Sequence, residues 1–219
     1  MVHEGLKKVL LGIGEAARQA GRDPSSVRLI SVSKTFDATD IVPVIEAGQR
    51  VFGENRVQEA KGKWPALRMR WPDIALHLIG PLQTNKVADA VSLFDVIHTV
   101  DRPKLALALA SEMQKQSLMR EVFIQVNTGK EPQKAGVALE EVHGFHQFCR
   151  GEAGLKVMGL MCIPPADEPP ETHFKMLAAL AAELALPGLS MGMSGDYATA
   201  IACGATHVRV GSAIFGLRA

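Results

Sequence analysis

Eight short runs of β-favouring residues, each followed by a stretch with helical spacing, constrain this chain more than any other feature. The runs fall at 29–34, 50–53, 75–80, 94–98, 121–126, 155–161, 189–191 and 206–210. Alternating βα units with short connections imply a parallel sheet, and eight units are enough to close it into a barrel. An open doubly wound sheet is the alternative. No Gly-x-Gly-x-x-Gly opens the first unit, which argues against a dinucleotide site. Ahead of the first run, Leu6, Val9, Leu10, Ile13 and Ala17 recur at helical spacing, so a leading amphipathic helix packs on the body, where it covers the barrel floor or meets a partner. The expected fold is α/β: a single TIM-type (β/α)8 barrel with an extra N-terminal helix, one domain over 1–219.

Local signals agree with this period. Asp37 or Thr39 starts a helix that Gly48 stops. Asn55, with Gln58 three residues on, reads as a capping box. Asp101 precedes a helix with Pro103 in its first turn. Composition narrows the function classes. The net charge of +1 gives no general field toward nucleic acid or an anionic membrane, and 5% aromatics argue against base-stacking platforms. No apolar run is long enough to span a bilayer, and the first residues lack a signal-peptide core. Cys149, Cys162 and Cys203 are odd in number and lack metal-type spacing, so a reduced, cytoplasmic setting is expected. His143 and His146 have i, i+3 spacing but read as a solvated helix face, and no metal is expected.

Two places stand out chemically. Lys34 ends the first strand run, where an ammonium is costly to bury; an amine held there suits Schiff-base chemistry with an aldehyde. The plain alternative is a lysine pointing into water. In barrels of this kind the functional face lies at the C-terminal strand ends, and phosphate is often held by the loops after strands seven and eight. Gly192-Met193-Ser194-Gly195 follows the seventh run and Gly211-Ser212 the eighth; each leads into a helix, and each supplies free amides and a hydroxyl. Alternation places His207 and Arg209 on one face of the last run and Val208 and Val210 on the other. Arg209 therefore points into the barrel, toward a buried carboxylate or a ligand. His77 reads as a hydrogen-bonded core histidine, and Asn55 as a helix cap or a group beside a ligand. A phosphorylated aldehyde fits both ends of such a mouth, and pyridoxal 5′-phosphate is the natural candidate.

Several motifs in order resemble one family. They are Val32-Ser33-Lys34-Thr35, Phe52-Gly53-Glu54-Asn55 with Val57-Gln58-Glu59, the run from His77 to Lys86, Gln133-Lys134-Ala135-Gly136-Val137, Gly159-Leu160-Met161, Leu189 to Ser194, and Val208 to Gly216. Together they are similar to the pyridoxal-phosphate homeostasis proteins, single-domain relatives of the alanine racemase barrel. The resemblance implies that Lys34 carries the cofactor as an internal aldimine, and that Ser194, Gly195, Gly211 and Ser212 hold its phosphate. It also places Arg209 toward the pyridine nitrogen and Asn55 close to the ring. An arginine there weakens the ring as an electron sink, so only modest carbanion chemistry is implied. Phe36-Asp37 departs from the lysine and proline that often follow this motif, which makes the entry loop less basic.

Racemisation needs acid and base groups on both faces of a carbanion. In alanine racemase an extra β-domain supplies the second, and the run to Ala219 leaves no room for one; the single tyrosine, Tyr197, reads as packing at a helix start. The expected activity is therefore reversible binding and delivery of the cofactor, with no catalytic residues. The alternatives are a weak amino-acid racemase or a Schiff-base aldolase. Expected partners are pyridoxal phosphate and, transiently, apo-enzymes that use it; a monomer is expected.

Overall fold

The computed structural model describes residues 2–216. The expected domain limits at residues 1 and 219 lie outside them. Eight parallel strands form the barrel: β1 (Arg28–Val32), β2 (Val51–Glu54), β3 (Ala75–Leu78), β4 (Val96–Val100), β5 (Glu121–Asn127), β7 (Lys156–Met161), β8 (Gly188–Met193) and β9 (His207–Val210). β1 pairs with both β2 and β9, and the β4–β5 pairing completes the circle. This is the closed barrel, not the open sheet. A two-residue strand absent from the sequence reading, β6 (Val137–Ala138), adds to the upper end of β5.

Alternation along each strand separates two cores. Leu29, Phe52, Leu76, Ile97, Val122, Leu189 and Val208 face outward into one continuous layer with the helices. Each such side chain contributes about 1.5–3 kcal/mol by leaving water. Val96, Phe123 and Met161 form a separate small cluster, packed with Met158, inside the ring. The rest of the interior is unusually polar, and that is where the site is built. α1 (Glu4–Gln19) packs against α8 (Tyr197–Ala202) and α9 (Ser212–Phe215), so it covers the barrel wall and not its floor.

Three local expectations are corrected. β1 stops at Val32, and Lys34 lies in the turn that follows, half-buried. Asn55 is not a helix cap: α3 (Val57–Arg70) has Arg56 at its N-cap with no side-chain cap bond, and Gly80 packs directly against the Asn55 backbone. The fourth strand begins at Val96 because its first two expected residues are spent elsewhere. Phe94 caps α4 (Val87–Leu93), and Asp95 accepts from the Leu76 amide at 2.8 Å and pairs with Arg68 and Arg120. The start of α2 (Ala38–Glu46) is as expected, with Asp37 at the N-cap donating its amide to the Asp40 carboxylate at 3.3 Å.

Candidate functional site

The C-terminal strand ends enclose a cavity of about 550 Å³ lined by Val32, Lys34, Phe36, Met193, Ser194, Gly195, Gly211, Ser212 and Gly216. Val32, at the end of β1, and Lys34, in the turn that follows, both face this cavity. Five of the seven expected site residues therefore meet at one mouth. Asn55 and Arg209 are not among the lining residues.

The cup opposite Lys34 is made of backbone. Ser194 and Gly195 follow β8, and their amides donate to no protein acceptor among the described residues. Asp196 fixes this loop, its carboxylate accepting from the Met193 amide at 2.6 Å. Gly192 has φ of 92°, and a Cβ there would meet Ala200 at 2.5 Å, so only glycine lets the loop fold back onto α8. A Cβ on Gly195 would meet nothing within 4 Å, so this glycine leaves open space where a ligand can approach. Ser212 opens α9, where the first amides lack intrahelical partners. Its hydroxyl donates to that of Ser194 at 3.3 Å. Lys34 makes no hydrogen bond or ion pair among the described residues. Free amides, two hydroxyls and an uncommitted amine on one cavity fit a phosphorylated aldehyde.

Below the mouth, Arg209 is buried, as parity predicts. It does not pair with a carboxylate: Nη1 donates to Ser190 Oγ and Nη2 to the Cys162 carbonyl, both at 2.9 Å. Ser190 Oγ lies 2.9 Å from His98 Nδ1, and His98 Nε2 lies 2.9 Å from His77 Nδ1. Arginine only donates, so the arrangement with fewest orphaned groups runs one way. Ser190 accepts from Arg209 and donates to His98, and His98 donates to His77. The His77 Nε2–H is then left as a buried donor without a protein partner. Both imidazoles are neutral at pH 7. Burial, with His207 and Arg28 nearby, pushes His77 down to about 3. Burial, with the adjacent His77, holds His98 well below its ordinary range. Burial and Arg28 push His207 down to about 4.

Residues to which the sequence reading gives no role surround the outer side of the Lys34 turn. Glu54 is fully buried and faces outward from β2. Its Oε1 accepts from Ser33 Oγ at 2.6 Å and from Trp64 Nε1 at 3.0 Å, and Lys63 Nζ lies 2.9 Å away. Burial raises the Glu54 pKa, and the Ser33, Lys63 and Trp64 contacts oppose that rise. In the sequence Glu54 stands in the Phe52–Asn55 motif, as an acid at the outward-facing end of an otherwise apolar strand.

His77 is the core histidine expected. His143 is exposed and lies 3.2 Å from Glu183, but His146 is buried, so the pair does not share a solvated face. Among the described residues no group of three or more His, Cys, Asp or Glu side chains is arranged to hold a metal, and no helix is long and apolar enough to cross a membrane. Tyr197 packs over Gly12 of α1.

Residues 15–219 match the family described as "Alanine racemase, N-terminal domain". The chain is 39% identical to the pyridoxal phosphate homeostasis protein of Vibrio cholerae, over 99% of this chain and 96% of that one. It is 40% identical to the protein of the same name from Pseudomonas aeruginosa, again over 99% and 96%. This chain belongs to the pyridoxal phosphate homeostasis protein family. The structure of PipY of Synechococcus elongatus, solved with pyridoxal phosphate bound, superposes with a TM-score of 0.82 at 38% identity, covering 93% of this chain and all of that one. An unknown protein from Bifidobacterium adolescentis superposes at 0.90 with 33% identity, over 97% and 93%. The alanine racemase of Clostridium difficile shares the fold, with a TM-score of 0.71 at 13% identity over 95% of this chain and 56% of that enzyme.

Proposed function

We propose that this homeostasis-family chain binds pyridoxal 5′-phosphate reversibly as a Schiff base on Lys34 and acts as a cytoplasmic carrier and buffer of that cofactor, without efficient catalysis of its own. The single observation that carries the reading is the shared cavity: Lys34 and the Ser194–Gly195 and Gly211–Ser212 loops line one mouth. The aldehyde end of the cofactor needs an amine, and its phosphate end needs amides and hydroxyls. Ser194, Gly195, Gly211 and Ser212 hold the phosphate, and Lys34 supplies the amine. Arg209 stands below the ring as a fixed cation, and Asn55 flanks it.

When bound, the cofactor supplies an electrophilic carbon and a ring that can accept electrons. The protein limits the second property. Arg209 cannot take up a proton from the ring nitrogen or leave a proton there, because it stays charged and its hydrogen bonds are directed. A racemase also needs a proton donor on the second face of its substrate. The position of Tyr197 against α1 supports a chain that lacks one, so the carrier reading is preferred to a weak racemase. Delivery to apo-enzymes would follow from reversible imine exchange, as a monomer and as one domain over 1–219.

The test is direct. Protein mixed with pyridoxal phosphate, reduced with sodium borohydride and digested should carry the pyridoxyl group on Lys34. Label on another lysine, or none, removes Lys34 from this role.

A further inference from the structure

We propose that Lys63, with Glu54 and Glu59, is a positioning clamp that holds the Lys34 turn in the one backbone form from which Lys34 can reach the cofactor. This rests on the reading of Lys34 as the covalent site.

The turn is locally disfavoured. The Phe36 amide donates to the Ser33 carbonyl at 3.2 Å, which closes a four-residue turn with Lys34 and Thr35 at its centre. Thr35 has φ of 65°. Glycine or asparagine is the usual occupant of such a position, and a β-branched residue there is a steric outlier. Something outside the turn must therefore hold it.

Lys63 is placed to do so. It projects from α3 with its side chain only 9% exposed. Its Nζ donates to the Ser33 carbonyl at 2.8 Å and to the Phe36 carbonyl at 3.0 Å, the two carbonyls that bracket Lys34 and Thr35. Glu59, one helical turn earlier, accepts from Lys63 at 3.0 Å and from the Thr35 amide. Glu54 completes the set through Lys63 and the Ser33 hydroxyl. Four acceptors surround one ammonium, and three of the four residues of the turn are tied to the clamp. Only Lys34 is left free, on the opposite face. The Glu54 and Glu59 of the family-like motif thereby acquire a role that cofactor contact does not give them.

The covalent step needs this aim. The neutral Lys34 amine adds to the aldehyde carbon; a carbon–nitrogen double bond replaces the carbon–oxygen bond, and the oxygen leaves as water with the two amine protons. With the clamp released, Thr35 relaxes toward negative φ and Lys34 leaves the inward face. The cup on β8 and β9 shares no residue with the clamp, so phosphate binding survives while bond formation fails.

The experiment measures two quantities with added pyridoxal phosphate: total cofactor retained in equilibrium dialysis, and the share of it trapped on Lys34 by borohydride, read by mass spectrometry. For Lys63→Met we expect retained cofactor to persist and the trapped share to fall roughly tenfold, the scale of releasing one strained residue. Adding Thr35→Gly, which adopts positive φ without strain, should restore trapping in the double variant. An unchanged trapped share in Lys63→Met, or no recovery in the double variant, overturns the clamp, because a merely structural lysine would lower the melting temperature without moving that ratio. Should Lys63→Met not fold, Glu59→Gln carries the same expectation, and unaltered trapping there overturns the proposal. If wild-type protein traps nothing on Lys34, the covalent reading itself fails and the clamp falls with it.

Discussion

The inner and outer sides of the Lys34 turn carry one lysine each, and they are built in opposite ways. On the outer side Lys63 is half-buried, its side chain only 9% exposed, and its ammonium is committed to two carbonyls and two carboxylates. On the inner side Lys34 is half-buried, lines a cavity and has no partner among the described residues. The same residue type serves as a strut where acceptors converge and as a reagent where they are withheld. A reactive amine is thus recognised by what surrounds it and not by its burial alone.

The sharpest way to break this contrast is to exchange losses between the two sides. Lys34→Ala should abolish borohydride-trapped cofactor entirely while shifting stability in urea by no more than about 0.5 kcal/mol, since no hydrogen bond or ion pair among the described residues is lost. A large stability loss would show that Lys34 is also a strut. Glu54→Ala should act first on stability, with trapping on Lys34 lowered but not abolished as the clamp loosens. It takes one of two carboxylates from Lys63 and the shared acceptor from Ser33 and Trp64, and chemical denaturation should report a loss of about 2–3 kcal/mol. A loss near zero would mean that Glu54 carries no charge in the folded protein.

The interior histidines add a pH dependence with a defined sign. In the unfolded chain they titrate near their ordinary value, whereas in the fold His77 lies at about 3 and His207 at about 4, with His98 also depressed. The unfolded state takes up protons first as pH falls. Their contribution is thus complete above pH about 6.5 and is lost toward the folded values, at about 1.4 kcal/mol per pH unit for each histidine. Glu54, whose pKa is raised, acts oppositely: it favours the fold below the ordinary carboxylate range and loses that contribution as pH rises to its own value. Urea midpoints between pH 7 and pH 5 should fall, and a flat profile would place water and charge inside the barrel. The smallest expected effect lies in the cup. Ser212→Ala removes one hydroxyl among several donors and should weaken pyridoxal phosphate retention by about 1 kcal/mol, roughly fivefold, without changing which lysine is trapped.

The fold was legible because its signal is local. Eight strand–helix periods, the parity of β1 and β9, and two glycine–serine loops at successive strand ends can all be read within a few residues of each position. Arg209 was placed inward on that basis, and its direction is as expected. Its partners are not, because Ser190 and Cys162 lie 19 and 47 residues away and become neighbours only when β7, β8 and β9 pair side by side. The spacing at Asn55 fits a cap or a group beside a ligand; Arg56 takes the cap position, and Gly80 packs against the Asn55 backbone, a contact between strand ends that spacing does not show.

By itself the sequence determined which side chains face the barrel interior and where a helix begins or a strand can end, since those follow from backbone periods of two and 3.6 residues. Only the tertiary structure decided which polar groups satisfy one another and which stay free. His98 meets Ser190 across 92 residues, and Lys63 meets Ser33 across 30. Hydrogen bonding at that separation depends on how strands and helices pack, which no local period of the sequence encodes.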